Sequence, residues 1–267
     1  MINKKYLFSL QLPNFFSIVP LQIVALLFMT LMSLKTEAEL RYQPQIILSS
    51  DYFRHGISLT NHGASIRGQV HFEHDSGIEG GVKMGNTNDT FASETDIYVH
   101  FQHLMTPNII LDIGIDWFDY PSASTNFGNP DYNEFFFQFR YEKYKNIFNG
   151  KLSYSTKFFG VDTGVWHYSL GYDFALIENL YAQTNLSFNS FDDKEVSQSK
   201  DFWNYLLGIS KKINFMENQS RIEKSSSIEG SLSLNFSGTN RKLLTQRSTY
   251  FSTAKDNALF ITLNLSL

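Results

Sequence analysis

The chain contains no cysteine, which removes disulfide scaffolds, thiolate metal sites and cysteine nucleophiles together. Charge is sparse too: Asp, Glu, Lys and Arg make up 18% of the 267 residues, against about 25% in an ordinary soluble domain. The 22 basic and 26 acidic residues leave a net charge of −4. That balance offers no basic excess for phosphates, so a nucleic-acid partner is not expected. Beyond residue 40 no apolar run approaches the ~20 residues of a membrane helix. Aromatic residues, in contrast, are abundant, with 25 Phe, 14 Tyr and 3 Trp. Many aromatics with few charges is the reverse of a disordered composition.

One long apolar stretch does occur, from Ile18 to Leu34, behind Lys4 and Lys5 and ahead of Thr36-Glu37-Ala38. Basic, then apolar, then small is the order of a secretory signal, with cleavage expected after Ala38. An uncleaved membrane anchor is the alternative, but Pro20 and Gln22 interrupt the stretch and nothing basic accumulates beyond Lys35. The expected organisation is a signal peptide over 1–38 and one exported domain over 39–267.

The exported part alternates with a period of two, in segments of about ten residues. Ile109, Leu111, Ile113, Ile115 and Trp117 fall on one face, Asp112, Gly114 and Asp116 on the other. Phe135, Phe137, Phe139 and Tyr141 likewise oppose Glu134, Gln138 and Arg140. Comparable segments follow at 151–158, 166–174, 180–188, 228–236 and 259–267, with others near 46–57, 66–74, 77–85, 95–104 and 202–212. A soluble sandwich would use strands of about 5–6 residues. Strands of ~9–11 residues with one apolar face instead predict an antiparallel up-and-down transmembrane β-barrel of about twelve strands. Tyr52, Trp117, Tyr120, Trp166, Trp203 and Tyr205, near segment ends, would suit interfacial aromatic girdles.

Connection lengths predict an orientation. Asp75-Ser76-Gly77, Thr106-Pro107-Asn108 and Ala175–Asn179 are short, while 58–65, 86–94, 120–133, 189–201 and 238–256 are long and polar. Short turns are expected in the periplasm and long loops outside. Residues 213–227 are the exception, a long link on the predicted periplasmic side.

Ser50-Asp51-Tyr52-Phe53-Arg54-His55-Gly56-Ile57-Ser58 resembles the "SDYxFRGIS" signature of the TorF family of outer-membrane porin-like proteins. His71-Phe72-Glu73-His74-Asp75-Ser76-Gly77 is similar to that family's "YSHESGFY" hairpin, and Gly80-Gly81-Val82 follows with its glycine spacing. Asp119-Tyr120-Pro121 resembles its "YTYP" element, with Asn133-Glu134 where the family often has "YYE". The resemblance implies an outer-membrane barrel of largely unassigned function. Here Arg54 stands one position earlier than the family's arginine, which in a strand moves the side chain to the opposite face. The chain ends in Leu267, where such barrels commonly end in an aromatic residue.

No catalytic, metal or cofactor site is expected. His71/His74 and His100/His103, three apart, fall on opposite strand faces and cannot share one ion without a bulge. Gly80-Gly81 with Gly85 lacks the lysine and helix of a phosphate loop. The carboxylates and bases read instead as lumen lining: Arg67, His71, Glu73, Lys83, Asp96, Asp112, Asp116, Glu134, Arg140, Lys151, Lys157 and Asp173. Mixed signs suit a hydrated, narrow, weakly selective channel, because a selective ring needs one sign. Closure is expected from paired lumen charges, Arg140 among them, or from loop 238–256. The expected partners are outer-membrane lipid, the barrel assembly machinery and small solutes. A non-conducting adhesin or structural barrel is the main alternative, followed by an outer-membrane enzyme or a soluble secreted β-protein.

If the apolar face meets lipid, Ile113→Arg should cost about 2–4 kcal/mol of stability in bilayers, while its neighbour Asp112→Asn costs little. A refolding titration in vesicles measures both, and equal tolerance would defeat the barrel reading.

Overall fold

The computed structural model describes residues 39–88, 92–123, 129–159, 161–192, 201–216, 228–239 and 257–266. The predicted signal peptide lies outside them, as do Leu267 and most of the connections at 189–201, 213–227 and 238–256. Among the described residues every regular element is a strand: β1 (Leu40–Ser49), β2 (Phe53–Arg54), β3 (Ile57–Ser58), β4 (Ser65–His74), β5 (Ile78–Asn86), β6 (Ser93–Thr106), β7 (Ile109–Asp119), β8 (Tyr132–Lys143), β9 (Asn146–Ser155), β10 (Val165–Ile177), β11 (Leu180–Phe191), β12 (Phe202–Met216), β13 (Ile228–Thr239) and β14 (Asn257–Ser266). All except β2 and β3 join one closed antiparallel barrel of twelve strands. The seam closes where Gln45–Ser49 of β1 pair with Ser266–Thr262 of β14. Closure leaves no open edge whose backbone groups would need partners.

Polarity is inverted relative to a soluble domain. Ile66, Ile113, Leu170 and Leu259 point outward and are more than half exposed. Their strand neighbours Arg67, Ser169 and Phe260 turn inward and are buried or half-buried. Two aromatic belts ring the outside. Tyr154 packs against Trp166 and Phe188 against Trp203 at one end, with tilted rings. Tyr42, Tyr141, Tyr144 and Phe174 are exposed toward the other. On β10, eight residues separate Trp166 from Phe174, about 27 Å along the strand at ~3.4 Å per residue. With the usual ~40° tilt this gives an apolar band of about 20 Å, close to that of membrane barrels.

Of the residues expected in these belts, Tyr52 and Tyr120 are not there; both turn into the barrel, and Tyr120 is buried. Apolar residues also collect inside, at the end with the long connections. Ile57, Leu59, Phe118, Tyr120, Tyr132, Phe158, Phe159, Val165, Phe191 and Phe202 form one buried cluster there. At the opposite end the connections among the described residues are tight, as at Pro107-Asn108 and Tyr144-Lys145, while the long link between β12 and β13 lies outside them. Tyr144 and Lys145 are the two central residues of a hairpin, with φ of 52° and 68°, the primed turn that matches strand twist.

The predicted first strand, 46–57, needs correction. Strand β1 begins earlier, at Leu40, and ends at Ser49, and the chain then turns inward. Phe53 and Arg54 pair with Ser58 and Ile57, leaving His55-Gly56 as a two-residue turn with φ of 50° and 77°. Asp51 fastens its base: its carboxylate accepts hydrogen bonds from Ser58 and Thr60 at 2.6 and 2.9 Å and lies 2.7 Å from the His62 ring.

The turn tolerates no side chain at Gly56. A Cβ there would lie 2.4 Å from Cβ of Asn204 on β12, and its positive φ alone costs a non-glycine residue about 1–2 kcal/mol. Gly56→Ala should therefore undock the β2–β3 hairpin while leaving the barrel closed. Trypsin should cut the folded variant after Arg54 and spare the folded wild type.

Candidate functional site: a hairpin latched across the lumen

Contacts of the hairpin reach β6, β8, β10, β12 and β14, which are spread around the closed sheet, so the hairpin sits within the barrel. Phe53 packs on Phe260 of β14 with ring centroids 5.0 Å apart. Asn204 of β12 donates its amide to the His55 carbonyl at 3.3 Å. The His55 ring lies 4.2 Å from that of His167 on β10.

Two ionic groups hold the tip. In the first, the Arg54 guanidinium engages Glu94 with both terminal nitrogens, each at 2.9 Å, and Asp96 at 2.8 Å. It also lies 3.8 Å over the Phe118 ring. Glu94 accepts further hydrogen bonds from Tyr52 at 3.0 Å and Tyr120 at 2.8 Å. Burial pushes both phenols above their ordinary pKa, so they stay protonated donors. Arg67 reaches Asp96 at 3.2 Å and covers the Tyr52 ring at 3.9 Å, with Lys83 3.9 Å from Asp96. In the second group, His55 lies 3.0 Å from Glu134, whose other oxygen is 3.0 Å from Lys151. From Lys151 the charges continue to Asp116 at 3.8 Å, and from there to His100 at 2.9 Å. His100 in turn lies 3.9 Å from Asp112.

The structure thus gathers seven of the sequence candidates into these two groups: Arg67, Lys83 and Asp96 in the first, Asp112, Asp116, Glu134 and Lys151 in the second. His71 stands apart, 2.8 Å from the Tyr98 hydroxyl and 3.7 Å from Glu79. Glycine at position 81 lets Tyr98 lie flat there, since a Cβ would meet its hydroxyl at 2.5 Å. Glu73 is at the tight-turn rim, bonded to Arg41 at 3.0 Å. Arg140 pairs with Glu142 at 3.1 Å near that same rim. Asp173 is half-buried on β10, next to β9, but toward the tight-turn end and outside both groups. Strand β9 ends at Ser155, so Lys157 belongs to the following connection, where it meets Asp162 at 3.1 Å.

The sequence reading missed Arg54, His55, Glu94 and His100 as lumen groups. Glu94, Asp96, Tyr98 and His100 share one parity on β6, and that signal was available. For Arg54 the face-flipping argument fails because it sits in an inward hairpin, where it and His55 both reach the wall.

The opposite wall is different in kind. On β10–β14 the inward positions of the half nearest the hairpin carry Ser187, Asn189, Asn204, Ser233, Asn235, Ser237 and Thr262, with His167 the one titratable side chain among the described residues. These groups bond to one another: Ser187 to Asn185 at 2.7 Å, Asn235 to Ser233 at 2.9 Å, and Ser49 with Thr262 at 3.1 Å.

Residues 36–220 match the family described as Gcw_chp, bacterial protein of unknown function. The chain belongs to that family. Among solved structures, it resembles the NanC porin, with 7% identity over 84% of this chain and 98% of that one and a TM-score of 0.52. LpxR from Salmonella typhimurium matches at 9% identity over 84% of this chain and 99% of that one, with a TM-score of 0.44. OmpT, an outer membrane protein of Vibrio cholerae, matches at 7% identity over 87% and 98%, with a TM-score of 0.40. At such identities the likeness is one of fold. A search of curated proteins found no match.

Losing the first ionic group should be expensive. Arg54 and Glu94 are both buried, and removing one partner of a buried ion pair costs about 3–5 kcal/mol. Arg54→Met should cost that much in urea titrations of the refolded barrel. Adding Glu94→Gln and Asp96→Asn should recover part of it, because the stranded charges are then gone.

Proposed function

We propose that this protein is an exported outer-membrane barrel acting as a narrow, weakly selective porin-like channel for small solutes. The observation that carries the reading is the inverted polarity, a closed sheet with an apolar skin around an interior of charged and hydroxyl groups. Apolar surface on that scale calls for lipid, and a polar interior needs water or a polar solute. The resemblance of Ser50–Ser58 to the TorF porin signature agrees with this reading. The segment over 1–38 would direct export, lipid and the assembly machinery being its partners on the way. With the tight turns periplasmic, the hairpin belongs to the half facing outward from the cell.

An enzymatic role has less support. Asp51, Ser58 and His62 converge, but the Ser58 hydroxyl donates to Asp51, so no hydroxyl–imidazole pair is set up for nucleophilic attack. One observation favours a non-conducting adhesin or structural barrel: the apolar cluster of Ile57, Leu59, Phe158 and Phe159 fills the mouth beside the hairpin.

Planar bilayers decide between channel and sealed barrel. Wild type should give a small, weakly selective conductance, and Arg54→Ala with His55→Ala should raise it several-fold. Silence from both proteins would leave the structural reading in front. Orientation is separable, since the chain lacks cysteine: Ser122→Cys should label on intact cells and Thr106→Cys should not.

A further inference from the structure

A cavity of about 300 Å³ lies between the hairpin and the uncharged wall, at the small end of ligand-binding pockets. We infer that it is a binding site for a small, uncharged, polyhydroxylated solute, a polyol or monosaccharide; this rests on the channel reading and specifies what the channel takes. Its polar lining includes Ser65 of β4, Ser233 and Asn235 of β13 and Thr262 of β14, and the paired rings of Phe53 and Phe260 add an apolar face. A sugar ring presents the complementary surface, hydroxyls around its edge and C–H groups on its faces. Hydroxyls and amides both donate and accept, so they can match hydroxyls whichever way these are turned.

Two further observations sharpen the assignment. Ser65 is 2% exposed, and its hydroxyl has no hydrogen-bond partner in the protein. A buried hydroxyl ordinarily has one; this one lies just beneath the cavity wall, and a turn of its side chain would present it to a solute. Charge points the same way. Asp51 and Arg67 also line the cavity, but both are already engaged: the Asp51 carboxylate by Ser58, Thr60 and His62, and the Arg67 guanidinium by Asp96 and the Tyr52 ring. An ionic solute would lose its hydration and find no free counter-charge, whereas a neutral one has less hydration to lose.

The test uses the full-length barrel refolded in detergent, with glycerol, glucose, gluconate and glucosamine as probes in saturation-transfer NMR. Glucose should give a signal at millimolar concentration, and gluconate and glucosamine should bind at least tenfold more weakly. Ser233→Val and Asn235→Leu should each abolish or strongly reduce the glucose signal. Heat-modifiable electrophoretic migration checks that each variant is folded, and Ser233→Ala serves if the larger residue is not accepted. Gluconate or glucosamine binding as well as glucose would overturn the assignment. So would a glucose signal indifferent to every folded variant, or no signal from any probe, which would mean that the cavity holds water only. Conductance of the same preparation separates this from the channel reading: current without a sugar signal defeats the site alone, and a sugar signal without current defeats the channel alone.

Discussion

The two-residue period of a strand, applied to a sheet with no edge, is the constraint on which everything else here depends. Once β1 and β14 close the sheet, each side chain on a barrel strand is committed to the inside or the outside, and no third environment exists. Apolar residues outnumber what the interior can use, so they cover the exterior. The interior inherits the polar half of every dyad, including charges that a soluble domain would place in water. Those charges must then find each other, because an unpaired ion in a confined lumen is costly.

Pairing divides the lumen. Strands β4–β9 carry nearly all of the acids and bases, and these neutralise one another along that wall through Asp96, Arg67, Glu134, Lys151, Asp116 and His100. In the half nearest the hairpin the β10–β14 wall keeps serine, asparagine and threonine around His167, with Asp173 farther along β10. A field set up by opposed rows of unlike charge is therefore not the principle of this interior. The hairpin completes the partition by delivering one permanent cation, Arg54, to the two buried carboxylates at the top of the charged wall.

The barrel wall was legible from local pattern alone. The dyad over 109–118 became Ile109–Asp119, and that over 134–142 became Tyr132–Lys143, because inside-outside alternation is a property of consecutive residues. The first strand was misplaced for a physical reason. Apolar residues continue past Ser50, but Ile46 and Leu48 are even-numbered and Phe53 and Ile57 odd. The two-residue rhythm therefore breaks there, and the second pair serves the interior plug, not the exterior. Nor could any local pattern announce that Arg54 meets Glu94, 40 residues away, or that the His55 carbonyl meets Asn204. Such encounters depend on how far round the barrel the chain has travelled before it crosses the lumen.

The position of the hairpin in the chain has a consequence for assembly. It follows β1 directly, but its partners lie on β6, β8, β10, β12 and β14, so it is made early and its docking is complete only when the last strand has arrived. Contacts this distant in sequence are slow to form, because closing long loops costs chain entropy. The tip's contacts therefore need β6, β8, β10 and β12 in place together, and a barrel missing a strand or paired out of register presents it with the wrong wall. In that sense Arg54 and His55 read out the completeness of the sheet that surrounds them.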